Sequence, residues 1–191
     1  MLRKIMLAAV TMSTPLAGPV LAADKYVIDP EHVWVNFSIQ QNVWARNVGR
    51  FNKIKGEILL DKNNVSSSSV VVEIAAGSVD TANLARDYEV KQSFLSAAIF
   101  PKITFVSTRV VKTGDNEGTV VGDLTIAGMT KPVTLHVIFD GEAISMFNGK
   151  MTAGFSADGE LNTDDFGIQG LTALGIHPQV RFTIEADAIL E

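Results

Sequence analysis

Few side chains in this sequence are arranged for catalysis. The three histidines, His32, His136 and His177, are far apart, and none has the spacing by which two imidazoles bind one metal ion. The chain has no cysteine, Gly-x-Ser-x-Gly segment or Gly-rich phosphate loop, which removes the commonest nucleophiles and phosphate cradles. We therefore expect a protein that is not an enzyme and has no metal site.

One pair of adjacent carboxylates is the remaining candidate for acid–base chemistry. Asp164 and Asp165 precede Phe166-Gly167, and two carboxylates could bind a cation or exchange protons. Adjacent acidic residues in a turn are more often simply solvated, and we favour that interpretation. A hydrolase that uses this pair with a histidine is the alternative.

The charge balance restricts the kinds of molecule that this chain can bind. The 191 residues include 16 Lys and Arg against 21 Asp and Glu, with no cluster of basic residues. Such an acidic chain is poorly suited to nucleic acid or to an anionic membrane surface. We expect no nucleic-acid binding and no stable membrane insertion of the mature chain. Trp34 and Met146-Phe147 are expected on the surface, where they would suit a homodimer contact.

Residues 1–22 have the pattern of a cleaved secretory signal peptide. Arg3 and Lys4 form a positive n-region, a short apolar core follows, and Val20-Leu21-Ala22 provides the cleavage site. The apolar core is too short to span a bilayer. We expect residues 23–191 to form a single domain in the bacterial periplasm. A retained N-terminal anchor is the alternative.

Most of the remaining chain alternates between apolar and polar residues. From His32 to Gln41, for example, Val35, Phe37 and Ile39 share one face, which is typical of a half-buried β-strand. About eight such strands, joined by short turns, predict a mainly β antiparallel fold. Both a sandwich and a closed barrel would protect the strand edges. Small residues on the apolar faces favour the barrel slightly.

The apolar phase of these strands defines a candidate interior. It contains eleven large side chains that we expect to face inward: Val35, Phe37, Ile39, Phe51, Ile58, Phe105, Leu135, Val137, Phe155, Phe182 and Ile184. They would either line a lumen that holds an apolar ligand or fill a solid core. Periodicity alone leaves both interpretations open.

The stretch from Ser78 to Phe105 departs from the alternation. Asp80 and Thr81 are typical helix N-caps, and the residues that follow contain no Gly or Pro until Pro101. Because a proline disfavours helical geometry in the residue before it, the helical segment should end ahead of that point. The sequence predicts one short helical segment over about residues 81–98.

The helical segment should be amphipathic. Leu84 and Tyr88 recur at helical spacing, so we expect them to lie on the sheet. Arg86, Asp87 and Glu89 are expected to face water on the opposite side.

A series of short motifs runs through the chain in a fixed order. They are Tyr26-x-Ile28-Asp29, Val35-x-Phe37-x-Ile39, Gly49-x-Phe51, Ser78-Val79-Asp80-Thr81, Arg86-Asp87, Phe94-Leu95, Phe100-Pro101-x-x-Thr104-Phe105, Gly122-Asp123-Leu124-Thr125-Ile126-x-Gly128-x-Thr130-Lys131-Pro132-Val133 and Asp165-Phe166-Gly167-Ile168. In order and spacing, over essentially all of residues 23–191, they resemble the YceI-like family of polyisoprenoid-binding proteins.

The resemblance implies a fold and a function. The fold would be an extended, lipocalin-like antiparallel β-barrel with a helical segment, enclosing an apolar tunnel. The function would be that of a periplasmic carrier that holds a long isoprenoid or similar lipid for transport or storage. An envelope stress or structural protein, whose barrel is filled by side chains, is the alternative.

The resemblance also indicates where a ligand head group would lie. Gln41, Asn83 and Arg86 stand at positions where such a group could be contacted. Many family members have a histidine where this chain has Gln41, and often a basic residue where it has Thr163. These differences favour a neutral head group, as in an isoprenoid quinone or a fatty amide, over a polyprenyl phosphate.

Overall fold

The computed structural model describes residues 23–191, and the predicted signal peptide lies outside them. The strands are β1 (Asp24–Gln41), β2 (Ala45–Phe51), β3 (Ile54–Leu60), β4 (Ser69–Ala75), β5 (Val79–Asp80), β6 (Lys102–Lys112), β7 (Glu117–Ile126), β8 (Met129–Ile144), β9 (Met151–Asn162) and β10 (Ile176–Leu190). The helix α1 spans Leu84–Glu89 and continues into a π-helical turn, Val90–Phe94. No helix within this range is long and apolar enough to cross a membrane.

The strands form one closed antiparallel barrel. Neighbours pair in the order β3, β4, β6, β7, β8, β9, β10 and β1, and the start of β1 pairs back with β3. The end of β1 pairs with β2, which precedes β3 in the chain and carries β5 on its other side. Eight positions around the wall are therefore occupied, and closure removes the strand edges. The predicted antiparallel barrel of about eight strands is confirmed.

Strand β1 is the longest and contains a bulge. Its pairing with β10 shifts register between Ile28 and Val33, and Pro30 lies inside this interval. Proline lacks an N–H group for the ladder, so within a sheet it is tolerated at such an irregularity. The bulge lets one strand pair with β3 near its start and with β2 near its end.

The helical segment is shorter than predicted. The side-chain oxygen of Asn83 accepts a hydrogen bond from the Arg86 N–H at 3.0 Å, which makes Asn83 the N-cap in place of Asp80 or Thr81. The segment then ends with the π-helical turn at Phe94, not near residue 98. Its existence and position between β5 and β6 agree with the prediction.

The predicted orientation of the helix is wrong, although Glu89 is exposed as expected. Leu84 is 89% exposed and Tyr88 is 66% exposed, whereas Asp87 is only 7% exposed. The Asp87 carboxylate accepts hydrogen bonds from the Thr81 N–H at 2.7 Å and the Thr81 hydroxyl at 2.6 Å. Because these bonds fix the polar side of the helix toward the barrel, the apolar side faces water.

The barrel has two distinct ends. The helix end carries α1, the β1–β2 turn and the connection 163–175 between β9 and β10. This connection is tied to the β1–β2 turn, since the Asn42 N–H donates to the Gly175 carbonyl at 2.6 Å. The opposite end carries the connection 61–68 and the β6–β7 and β8–β9 turns. The inward apolar side chains lie between these ends.

Candidate ligand-binding cavity

The barrel encloses a cavity of about 820 Å³. This volume lies in the upper part of the range of about 300–1,000 Å³ that small-molecule sites occupy. All eleven side chains assigned to the inward face from the alternation line it. The interior of the barrel is therefore open space bounded by apolar side chains. That these side chains bind a ligand stays a prediction.

Glycines help to keep this space open. A Cβ atom added at Gly159 would lie 2.7 Å from the end of the Phe182 ring, its cross-strand partner. Gly122 lies in the same way under the ring of Phe105. Because these glycines have no side chain, the rings can lie close to the wall and do not project into the lumen.

A chain of polar side chains borders the cavity at the helix end. The Arg86 guanidinium donates to Asn47 Oδ1 at 2.9 Å, to the Thr81 hydroxyl at 2.9 Å and to the Thr81 carbonyl at 3.0 Å. Asn47 in turn donates to Gln41 Oε1 at 2.8 Å. Gln41, Asn47, Thr81 and Arg86 all line the cavity. The network therefore places amide and guanidinium groups at one end of an apolar lumen.

The three predicted head-group residues have different positions. Gln41 and Arg86 line the cavity and are linked through Asn47. Asn83 is exposed, does not line the cavity and caps α1. The sequence interpretation missed Asn47. The sequence contained a signal for this residue, because Asn47 lies on the same alternating face of β2 as Phe51, and that face points inward.

Within residues 23–191, Arg86 forms no ion pair with a carboxylate. Its hydrogen-bond acceptors are the neutral oxygens of Thr81 and Asn47. A guanidinium has five N–H donors, and these three bonds use three of them. The helix end of the cavity therefore retains donor capacity for an oxygen acceptor.

A second polar cluster ties strands together at the opposite end. The Tyr26 hydroxyl, on a side chain with no exposed surface, donates to the Glu142 carboxylate at 2.6 Å. Lys62, which lines the cavity, donates to both oxygens of Glu142 at 2.7 and 2.8 Å and lies 3.2 Å from Asp24. The Lys62 hydrogen bond lowers the pKa of Glu142, and burial raises the pKa of Tyr26. The cluster joins β1, β8 and the connection after β3.

The acidic pair lies outside the cavity. Asp164 and Asp165 are both exposed in a 3₁₀ turn, where the Asp164 N–H donates to Asn162 Oδ1 at 2.9 Å. Asp165 and His177 border the same shallow surface depression. In the part of the chain that the structure describes, no three His, Asp or Glu side chains are grouped to hold a metal ion.

Several large apolar side chains face solvent. Met146 and Phe147, in the β8–β9 turn, are 95% and 90% exposed, and Trp34 on the outer wall is 42% exposed. Their exposure agrees with the prediction for these residues. The homodimer that they would suit stays a prediction.

This chain is similar to known proteins in both sequence and fold. The YceI-like domain profile matches residues 26–188. Protein YceI of Escherichia coli O157:H7 is 41% identical over 156 residues, which is 80% of each chain. The crystal structure of BcnA from Burkholderia cenocepacia has a TM-score of 0.75 at 21% identity and covers 84% of this chain and 98% of that chain. A polyisoprenoid-binding domain from Saccharophagus degradans has a TM-score of 0.62 at 13% identity, covering 88% and 99%.

Fold and cavity define a closed antiparallel β-barrel with an apolar lumen, a class of barrel in which the interior can enclose a small ligand. The sequence matches identify the family within this class. This chain belongs to the YceI-like family.

Proposed function

We propose that this protein binds a long-chain isoprenoid or similar lipid in the barrel lumen and carries or stores it in the periplasm without catalysis. One observation carries the proposal, namely an apolar cavity of about 820 Å³ that extends between the two ends of the barrel. The Saccharophagus degradans domain is described as polyisoprenoid-binding, which supports the same class of ligand here. The signal-peptide pattern of residues 1–22 supports the location.

The apolar lining is sufficient to hold such a chain. Each methylene group removed from water contributes about 0.8 kcal/mol, so a five-carbon isoprene unit contributes roughly 3–4 kcal/mol before the cost of ordering the chain. A few units therefore supply the affinity of a carrier without polar contacts along the tail.

The head group belongs at the helix end in this proposal. Arg86, Asn47 and Gln41 present hydrogen-bonding groups there, and Arg86 retains N–H donors for an oxygen acceptor. The carbonyl of an isoprenoid quinone or a fatty amide is such an acceptor. A polyprenyl phosphate is the alternative ligand, and displacement assays that compare it with a quinone distinguish the two.

Native mass spectrometry of protein purified from its own periplasm tests the proposal first. We expect an added mass that solvent extraction identifies as a long-chain isoprenoid or fatty amide, and uptake of an isoprenoid quinone by the emptied protein. Protein that carries no lipid and takes up neither quinone nor polyprenyl chain would contradict the proposal. That result would favour the structural role instead.

A cavity-filling variant tests whether the ligand binds inside the barrel lumen. Ala157 lines the cavity between Val137 and Ile184, its partners on the neighbouring strands. Ala157→Phe should reduce quinone uptake at least tenfold, because the ring would occupy the lumen. Thr134→Phe is the matched control, since Thr134 is exposed on the outer face of β8. Equal uptake by both variants would place the ligand outside the lumen.

A further inference from the structure

The helix end of the barrel exposes large apolar side chains. Trp44, in the β1–β2 turn, is 85% exposed together with its neighbour Val43, and Leu174, in the connection before β10, is 64% exposed. We call Val43, Trp44 and Leu174 the apolar rim. Leu84 and Tyr88 on α1 face water at the same end. Large apolar side chains gathered at one end of a barrel indicate a contact surface.

Hydrogen bonds hold the segments of this end together. The bond from the Asn42 N–H to the Gly175 carbonyl, at 2.6 Å, joins the turn that carries Trp44 to the one that carries Leu174. The Arg86 guanidinium joins α1 to β2, the strand that follows the same β1–β2 turn. The apolar rim is therefore one surface and not a set of separate loops.

The lumen reaches the surface beside the apolar rim. Of the side chains that line the cavity, Leu174 and Glu89 are the exposed ones at the helix end. Those at the opposite end are all polar, namely Lys62, Lys112, Asp115, Asn116 and Glu117. Met146 and Phe147 are also exposed at that end, but they do not line the cavity. An apolar side chain therefore borders the lumen at the surface only at the helix end of the described barrel.

Two exposed arginines lie on the outer wall behind the apolar rim. Arg46 on β2 pairs with Gln40 of β1, and Arg181 on β10 pairs with Ser38 of β1, so these four residues share the outer face near the β1–β2 turn. Within residues 23–191, Arg46 forms no ion pair with a carboxylate, and Arg181 contacts Glu160 at 3.9 Å. This acidic chain therefore has cationic groups next to its apolar rim.

We propose that the apolar rim docks on a phospholipid bilayer, with Val43 and Trp44 at the boundary between head groups and acyl chains and with Arg46 and Arg181 facing lipid phosphates. Tryptophan favours this boundary, and arginine is attracted to anionic head groups. The inference rests on the proposed function, because a carrier of a membrane lipid has to exchange it with a membrane. The contact is peripheral and reversible, since so few side chains bury too little apolar area for a permanent anchor.

Flotation with lipid vesicles tests this surface. The vesicles consist of phosphatidylcholine with phosphatidylglycerol, or of phosphatidylcholine alone. One variant combines Val43→Ser with Trp44→Ser, and a second is Arg46→Gln. The matched control combines Met146→Ser with Phe147→Ser, because these side chains are equally exposed but lie at the opposite end. Circular dichroism checks that every variant is folded, and quinone uptake from detergent solution is measured separately.

We expect the wild-type protein to float with the vesicles that contain phosphatidylglycerol. The variant at Val43 and Trp44 should bind them at least about tenfold more weakly, because its apolar contact area is lost. Arg46→Gln should bind them about fivefold more weakly and should bind phosphatidylcholine alone as the wild type does. The control should bind like the wild type. All variants should take up quinone from detergent solution equally, since none of the changed residues lines the cavity.

Wild-type protein that takes up quinone from detergent solution but binds neither kind of vesicle would overturn the inference and leave the proposed function standing. Equal losses in the rim variant and the control would overturn it too, because the contact would not be specific to the helix end. A dimer that the rim variant abolishes, in the absence of vesicle binding, would assign the rim to a second copy of this chain. Protein that binds vesicles through the rim but takes up no quinone would refute the proposed function alone.

Discussion

The ring of Phe37 lies directly over the backbone of Gly49, its paired residue on the neighbouring strand β2. A Cβ atom added at residue 49 would collide with the outer atoms of this ring, and no other group is among its nearest contacts. Phe37 also pairs with Phe182 on β10, whose ring lies over Gly159 in the same way. Adjacent aromatic rings are thus accommodated by glycines on either side, and the lumen beside them stays open.

Gly49→Ala tests this relationship. The new methyl group should push the Phe37 ring into the lumen, which lowers quinone affinity and costs about 1 kcal/mol of unfolding free energy, since the displaced group is the end of a side chain beside open space. Urea unfolding and dye displacement measure the two effects. Gly77→Ala is the control, because nothing lies within 4 Å of a Cβ at that position. Equal behaviour of the two variants would contradict the steric argument.

The residues of the inward face show how much of this site can be predicted from the sequence. Alternation placed Phe37, Phe105 and Phe182 on one face, and all three line the cavity. Alternation says which side chains face inward, but the free volume depends on the number of strands in the wall, which is set by long-range pairing such as β1 with β10. The glycines beneath the rings then add space that no single strand pattern reveals.

The helix was harder to predict for a local reason. Helical spacing favoured Leu84 and Tyr88 as the packed side, yet both are exposed. The bonds from Thr81 to the Asp87 carboxylate reverse the orientation, and a buried carboxylate satisfied in this way does not appear in a hydrophobic pattern. Likewise, the sequence predicted Asp80 or Thr81 as the N-cap, whereas Asn83 caps the helix. The linkage of Arg86 to Asn47 joins residues that are 39 positions apart, which a local pattern does not reveal.

Tyr26→Phe should destabilise the barrel by about 1.5–3 kcal/mol. The variant removes the hydroxyl that donates to the Glu142 carboxylate from a side chain with no exposed surface, and hydrogen bonds to charged groups have this magnitude. Tyr88→Phe offers a matched control, since Tyr88 is 66% exposed and should change stability by no more than about 0.5 kcal/mol. Chemical denaturation of both variants makes the comparison. If Tyr26→Phe is as stable as Tyr88→Phe, the cluster with Glu142 does not hold this end of the barrel together.

The bulge in β1 should make stability depend on pH. His32 Nδ1 lies 2.9 Å from Asp29 Oδ2, and this hydrogen bond raises the pKa of His32 above 6.5 and lowers the pKa of Asp29 below 3.8. The histidine contribution is complete below pH 6.5 and is lost as pH rises through the raised pKa. The aspartate contribution is present above pH 3.8 and is lost as pH falls through the lowered pKa.

The pair should therefore stabilise the protein most between about pH 4 and 6.5 and less at pH 8. NMR titration of His32 measures how far its pKa is raised. Asp29→Asn should bring the pKa of His32 down toward 6.5, although Asp187 and Glu31 still raise it slightly. A pKa of His32 that does not move in this variant would show that the contact with Asp29 is not formed in solution.

Arg86→Lys should lower the free energy of unfolding by about 1–3 kcal/mol even though it conserves charge. The arginine joins α1 to β2 and to Thr81, which directly follows β5, through three hydrogen bonds from a planar fork. An ammonium group cannot reach all three acceptors. Loss of a donor leaves the Thr81 carbonyl or Asn47 Oδ1 without its partner at the border of an apolar cavity. Hydrogen exchange should accordingly accelerate from Thr81 through the helix, where the Asp87 bonds depend on the same turn. Arg46→Lys is the matched control, because Arg46 precedes Asn47 on β2 and its side chain is exposed. This variant should leave the free energy of unfolding nearly unchanged. A loss of similar size in Arg46→Lys would show that the effect comes from replacing any guanidinium and not from this network.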